Sequence, residues 1–225
     1  MTHAPPPETS SRFDFSELEA RDRYKLLIGS VVPRPIAWVT TLSTSGVPNA
    51  APYSFFNCLS ADPAIVAIGV EYRSDKTFKD TAQNIRDTEQ FTVNICDHST
   101  LEQMNITAIA FPPETDELTE ADLTLVPGEF TDVPRIAEAP VSFECRRYIT
   151  LNIGLSRDIV LGQVLGMWAR PGLVNERLHV DATQLDALGR MGGHAYCRSN
   201  ATFDLPTPSP EQWAQMQTKI REDAQ

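Results

Sequence analysis

Apolar positions along this chain fall mostly in the alternation or unbroken runs of strands, and in few places at the three- and four-residue steps of a helix. PIAWVTTL, Pro35 to Leu42, is rich in β-formers and predicts a strand. TSGVPN is a turn cluster, and NAAPYSFFNCLSADPA, Asn49 to Ala64, follows as a second strand, so the two predict a hairpin. DPAIVAIGVEY reads as a third strand, its nearly continuous apolar run being the kind buried on both faces. FTVNI, VSFECRRYITLNI and RDIVLGQVLGMWA read as strands too, the last two joined as a hairpin through Asn152 to Ser156. Helical spacing is confined to short stretches. In FSELEARDRYKLLIGSVVPRP, Leu18, Tyr24, Leu27 and Ile28 share a face, Ser16 and Glu19 have the spacing of a capping box, and Pro33 and Pro35 end the helix. Phe78, Ala82 and Ile85 give a second helix, LEQMNITAIA a short third, and Trp213, Met216 and Ile220 a last one after a Pro-rich break at Leu205 to Pro210. Phe111 to Pro140 reads as a long excursion with little regular structure, and LGRMGGHAYCRS as a loop. Many strands with few helices, not alternating, disfavour a Rossmann sheet and fit a closed antiparallel barrel with peripheral helices. No GxGxxG follows a strand and no GxxxxGK[ST] is present.

Composition narrows the classes. The 225 residues, 41% hydrophobic and 22% charged, suit a globular protein that needs no disulfide staples. No apolar run approaches a membrane span. Residues 1–15 start polar and Pro-rich without the apolar core of a secretory signal and read as a disordered leader; 16–205 read as the domain and 206–225 as a helical C-terminal extension. The net charge of −11 argues against nucleic acid and anionic membranes as partners. Cys58, Cys96, Cys145 and Cys197 are far apart, with no CxxC, and the four histidines form no i,i+4 pair, so no metal site and no redox dithiol are expected. Free thiols fit the cytoplasm.

Against the acidic background, EYRSDKTFKDT is a cationic island. Arg73, Lys76 and Lys79 gather at the start of a helix, with Asp80 and Thr81 next. Helix N–H groups beside Lys or Arg favour an anion, and a phosphate monoester is the natural guest; the same residues also suit a solvated helix turn. In the Asn49–Ala64 stretch, Ser54 and Asn57 are threaded between Tyr53, Phe55 and Phe56. On an ideal strand Tyr53, Phe55 and Asn57 face one side and Ser54 and Phe56 the other, with Pro52 a place for the alternation to slip. The buried polar groups need partners: backbone, or a ligand with a flat apolar body and a polar edge. Thr40 and Thr41 end the preceding strand beside them, and hydroxyls, an amide and aromatic faces near a phosphate seat suit flavin mononucleotide (FMN). Gly192 and Gly193 permit close backbone approach; His194 beside them reads either as a general acid or nicotinamide contact or as an exposed side chain.

These pieces, PRPIAWVTTLSTSGVPNAAPYSFFN, DPAIVAIGV, KDTAQNIRDTEQFTVNI, the MN of LEQMNIT, RIAEAPVSFECR and GRMGGHAY, resemble in kind and order the flavin reductase-like proteins of the FMN-binding split-barrel superfamily, in its flavoredoxin-like branch. The resemblance implies a mainly β, antiparallel Greek-key split barrel with short peripheral helices, assembled as a homodimer with FMN near the subunit interface. It implies a phosphate seat of Thr40, Thr41, Arg73, Lys79 and Thr81, and a flavin ring and ribityl chain along Ser54, Phe55, Phe56 and Asn57. It implies an oxidoreductase in which NAD(P)H passes a hydride to flavin, the reduced flavin serving a further acceptor or a partner monooxygenase; no protein acid or base is required, so no catalytic residue is named. Two other readings stay open: a flavoredoxin-like FMN electron carrier without direct NAD(P)H turnover, and a cofactor-free split-barrel binding module.

Overall fold

The strand-rich pattern becomes one large antiparallel sheet in a computed structural model that describes residues 11–111 and 117–223. Residues 1–10 of the expected leader lie outside the described residues. Helix α1 (Ala20–Ser30) leads through the short β1 (Arg34–Pro35) into β2 (Ala37–Leu42). The expected capping box is absent: Ser16 donates to Asp14 at 2.6 Å, and Glu19 occupies the N-cap with no side-chain bond. A turn with Gly46 at φ +80° returns the chain as β3 (Pro48–Tyr53), in register from Leu42↔Pro48 to Ala37↔Tyr53.

The second strand does not run on to Ala64, as its pattern predicts. It stops at Tyr53, and β4 (Phe56–Ala61) pairs with a different neighbour, β5 (Ala64–Glu71). The backbone explains the break: β2 offers no partner past Ala37, and the Phe55 carbonyl instead accepts from Gly69 N at 2.7 Å, handing the chain to β5. The alternation slips with it. Tyr53 and Phe56, three residues apart, both pack on the main core, while Phe55 between them faces a cleft.

The chain continues as α2 (Asp80–Thr88), β6 (Gln90–Ile95) and α3 (Leu101–Ile106). The described part of the excursion holds only α4 (Glu117–Glu120), β7 (Leu125–Val126) and β8 (Arg135–Ile136). The longest hairpin follows, β9 (Val141–Ile153) with β10 (Arg157–Ala169). After α5 (Ala182–Leu185), the Gly-rich segment expected as a loop is itself a small hairpin, β11 (Leu188–Arg190) with β12 (Tyr196–Arg198), and β11 also pairs with β1. Helix α6 (Pro210–Asp223) leaves Trp213 and Met216 exposed.

The sheet order is β3-β2-β6-β9-β10-β5-β4, so its two edges are consecutive in the chain. Ala37 and Val39 of β2, Tyr53, Ile68, Phe91, Cys145 and Val160 meet in one cluster, which requires the sheet to curl round on itself. Ala82 and Ile85 of α2 join that cluster at the three-residue step of a helix face. Full burial of a side chain the size of Ile85 stabilises by about 1.5–3 kcal/mol. A second cluster, with Ile36, Trp38, Met104 and Leu188, lies on the opposite face of β2. The result is mainly β, an antiparallel split barrel with short peripheral helices, open between β3 and β4 where Ser54 and Phe55 cross. Among the described residues no helix is long and apolar enough to cross a membrane.

Candidate functional site

At the gap in the barrel lies a cleft of about 440 Å³, within the ~300–1,000 Å³ usual for small-molecule sites. Tyr53, Ser54 and Phe55 enter it from the crossing, and Gly69 and Glu71 from β5. Tyr24 of α1 stands 6.4 Å from Phe55, ring centroid to centroid. A smaller space of about 330 Å³, lined by His194, adjoins it and shares Asn105, Arg190 and Tyr196. Among the described residues no group of three His, Cys, Asp or Glu side chains is placed to hold a metal ion.

The residues expected to seat a phosphate are only partly gathered. Thr40 and Thr41 are neighbours on a strand and face opposite sides. Thr40, fully buried, donates to Pro134 O at 2.6 Å and accepts from Asn94 at 3.3 Å, within a polar layer that ties the excursion to the sheet. Thr41 turns to α2 and accepts from Asn84 Nδ2 at 3.0 Å. Thr81, also buried, is hydrogen-bonded to the Asn49 side chain at 3.1 Å. Lys79 is the N-cap of α2 and makes no side-chain cap, which leaves the first N–H groups of a nine-residue helix without a capping acceptor. Two of the island's three cations are paired as they stand: Arg73 donates to Asp80 at 2.7 Å and to Phe78 O, and Lys79 is bonded to Glu71. Burial works to raise the Glu71 pKa, but the Lys79 bond and charge outweigh it and hold the carboxyl below its ordinary value.

The ring-binding residues divide likewise. Ser54 and Phe55 line the cleft. Phe56 packs on the barrel core, and Asn57 is exposed, its Oδ1 accepting from Cys58 N at 2.8 Å. The two halves of the expected site meet at Tyr53. This side chain lines the cleft, the Lys79 ammonium sits 5.9 Å from its ring centroid, and Thr81 neighbours its hydroxyl. That hydroxyl is buried and, among the described residues, closes no well-formed hydrogen bond beyond the approach of Thr81; burial pushes its pKa up, so at neutral pH it keeps its proton.

A flavin nucleotide fits these residues: aromatic faces and a hydroxyl in the cleft, an unanswered phenol at its wall, and an uncapped helix end with a cation behind it. Sequence reading missed Tyr24, Arg34, Arg157, Arg190 and Tyr196, which also line the cleft. They come from both ends of the chain and from β10, and no local spacing marks them. The signals at hand were the apolar helix face that holds Tyr24 and the segments PRPIAWVTT and GRMGGHAY, which contain Arg34, Arg190 and Tyr196.

Comparison with known proteins agrees with this architecture. The family described as a flavin reductase like domain matches residues 28–188. The solved structure of 2-nitrobenzoate 2-nitroreductase from Pseudomonas fluorescens is 36% identical, covers 89% of this chain and 98% of that one, and superposes with a TM-score of 0.81. Nitrilotriacetate monooxygenase component B from Bacillus cereus is 32% identical, covers 87% and 98%, and has a TM-score of 0.83. A Deinococcus radiodurans protein is 41% identical over 95% of this chain and 96% of its own length.

Proposed function

The chain belongs to the flavin reductase-like family, and from that premise we propose that it is an FMN-binding oxidoreductase working as an NAD(P)H-dependent flavin reductase. One observation carries the reading: the cleft and the α2 end share Tyr53 as their common wall, and its buried hydroxyl closes no well-formed hydrogen bond among the described residues, with only Thr81 approaching it.

Ser54 and Phe55 would hold the flavin ring, and the α2 end would hold the phosphate, with Lys79 and Thr81 nearest, Arg73 behind them and Thr41 bracing the helix through Asn84. The phosphate would join the Lys79–Glu71 and Arg73–Asp80 pairs at this end, an ammonium and a guanidinium each having donors to spare. Thr40, Phe56 and Asn57 serve as scaffold around that seat. Bound there, FMN supplies the two-electron chemistry that links a nicotinamide donor to an acceptor. The chain's own part is to bind, orient and shield: aromatic side chains exclude water from the ring, and no residue is assigned a proton.

The family neighbour that is a monooxygenase component favours a partner monooxygenase as one recipient of reduced flavin. A homodimer would cover the exposed apolar side chains of the β9–β10 hairpin, Tyr148, Ile149, Leu151, Ile153 and Leu155. Four free cysteines fit a cytoplasmic setting. Purified protein titrated with FMN tests the reading directly: saturable uptake and steady NADH or NADPH consumption are expected. FMN uptake without nicotinamide turnover would favour the electron carrier, and no uptake at all the cofactor-free module.

A further inference from the structure

Arg157 is a cleft residue that the flavin seat does not employ. It opens β10 with its Cα opposite Glu71. Next along that face is Gly69, where a Cβ would lie 3.2 Å from Arg157 Cδ and 3.0 Å from Phe55 Cβ. The missing side chain lets Arg157 lie across β5 and bring its Cζ to 3.9 Å from the Phe55 ring centroid. A guanidinium on an aromatic face keeps its rim of N–H groups available for a two-pronged acceptor.

Among the described residues that rim is unused: the Arg157 side chain makes no hydrogen bond and no ion pair, though it feels the Glu71 charge. The cleft's other arginines hold backbone carbonyls and a hydroxyl rather than an anion, and the buried Arg34 Nε has no partner among the described residues. Arg34 donates to Ile28 O, Val31 O and Met191 O, and Arg190 to Gly193 O and the Tyr196 hydroxyl. Glu71 is taken by Lys79. An unmatched positive charge therefore faces the cleft of a protein whose net charge is −11.

We propose that Arg157 anchors a second ligand of the cleft, and that this ligand is a flat aromatic carboxylate bound beside the flavin. The inference rests on the flavin reading above for its neighbour, but not for its anchor. A carboxylate matches the guanidinium fork in shape and in single charge. The Phe55 and Tyr24 rings beside the fork supply faces for an aromatic body.

Benzoate and benzamide, alike in shape and different in charge, provide the test. Each is titrated by calorimetry into FMN-loaded protein. Benzoate should bind about ten- to a hundredfold more tightly, the range of a hydrogen bond to a charged group. Arg157→Met should erase that preference with FMN affinity unchanged, and Arg157→Lys should keep part of it. Equal binding of the two in the unaltered protein overturns the proposal without recourse to a variant. So does a preference that survives Arg157→Met, or inorganic phosphate displacing benzoate at equal concentration. Loss of FMN together with benzoate in Arg157→Met would assign the residue to the flavin's own seat and likewise end it. Should the chain take up no FMN, the flavin reading fails on its own, and the same calorimetry on the flavin-free chain still decides for or against the Arg157 anchor.

Discussion

Two buried polar centres in this protein are built in opposite ways. Glu144 of β9 is fully buried, and its carboxylate accepts from the backbone N–H groups of Glu129, Phe130 and Thr131, from the Thr131 hydroxyl and from Trp168 Nε1 at 2.6 Å. Gly128 completes the cradle: a Cβ there would sit 2.8 Å from Glu144 Oε2. Every bond is answered within the protein, and the centre pins the irregular excursion to the sheet. At the barrel gap the buried Tyr53 hydroxyl has only the approach of Thr81, and the half-buried Arg157 guanidinium makes no hydrogen bond among the described residues. Burial of a polar group is costly in either place unless it is paired. Where the protein supplies the pair, the group holds the fold; where it does not, the group waits for something from outside.

Removing Glu144 should break the first centre with the largest effect. Glu144→Ala leaves several donors unsatisfied and should cost about 3–5 kcal/mol in urea unfolding. FMN affinity of the folded fraction should hardly change. The acid behaviour follows from the same bonds. Burial works to raise the Glu144 pKa, but the hydrogen bonds outweigh it and the folded value lies below the ordinary 4.5. Its contribution is therefore present above about pH 4.5 and is lost as pH falls through the lower folded value. Glu144→Gln, which fills the space but turns an acceptor into a donor, should be less stable at neutral pH and flatter in its acid profile. An unchanged acid profile would mean that other carboxylates govern acid unfolding.

Lys79→Ala addresses the second centre. FMN binding should weaken by about 1.5–3 kcal/mol and riboflavin binding much less, since only the phosphate would reach this ammonium. Stability should move little, because the Lys79–Glu71 pair is partly exposed on both sides and screened by solvent. Equal losses for the two ligands would place the phosphate elsewhere.

The contrast between the centres also shows what the chain discloses before it folds. Strands, hairpins and the island at α2 were legible, because alternation, turn residues and charge are local. The division of Asn49–Ala64 was not. It depends on which strand lies alongside, and only the pairing of Phe55 with Gly69 ends β3 and starts β4. Thr40 and Thr41 looked equivalent in sequence; the excursion that claims Thr40 through Pro134 is 94 residues away. Arg157 stood in a strand tip of unremarkable composition, and its importance rests on a glycine in another strand. Local patterns thus gave the frame and half of the site, and long-range pairing decided which polar residues were free.

Tyr53→Phe gives the smallest effect and the sharpest separation, because its two readouts should move in opposite directions. The substitution keeps the ring in the core and removes only the hydroxyl. In the flavin-free protein that hydroxyl is desolvated and, the approach of Thr81 aside, unpaired among the described residues, so its loss should leave stability unchanged or raise it by up to about 1 kcal/mol. If the hydroxyl answers to the flavin nucleotide, the same change should weaken FMN binding by about 0.5–1.5 kcal/mol, the worth of one neutral hydrogen bond. Thermal unfolding with and without FMN reads both at once: the flavin-free midpoint stays or rises while the shift on adding FMN shrinks. A lowered flavin-free midpoint would show that the hydroxyl is bonded within the protein, and would move Tyr53 to the same side of the comparison as Glu144.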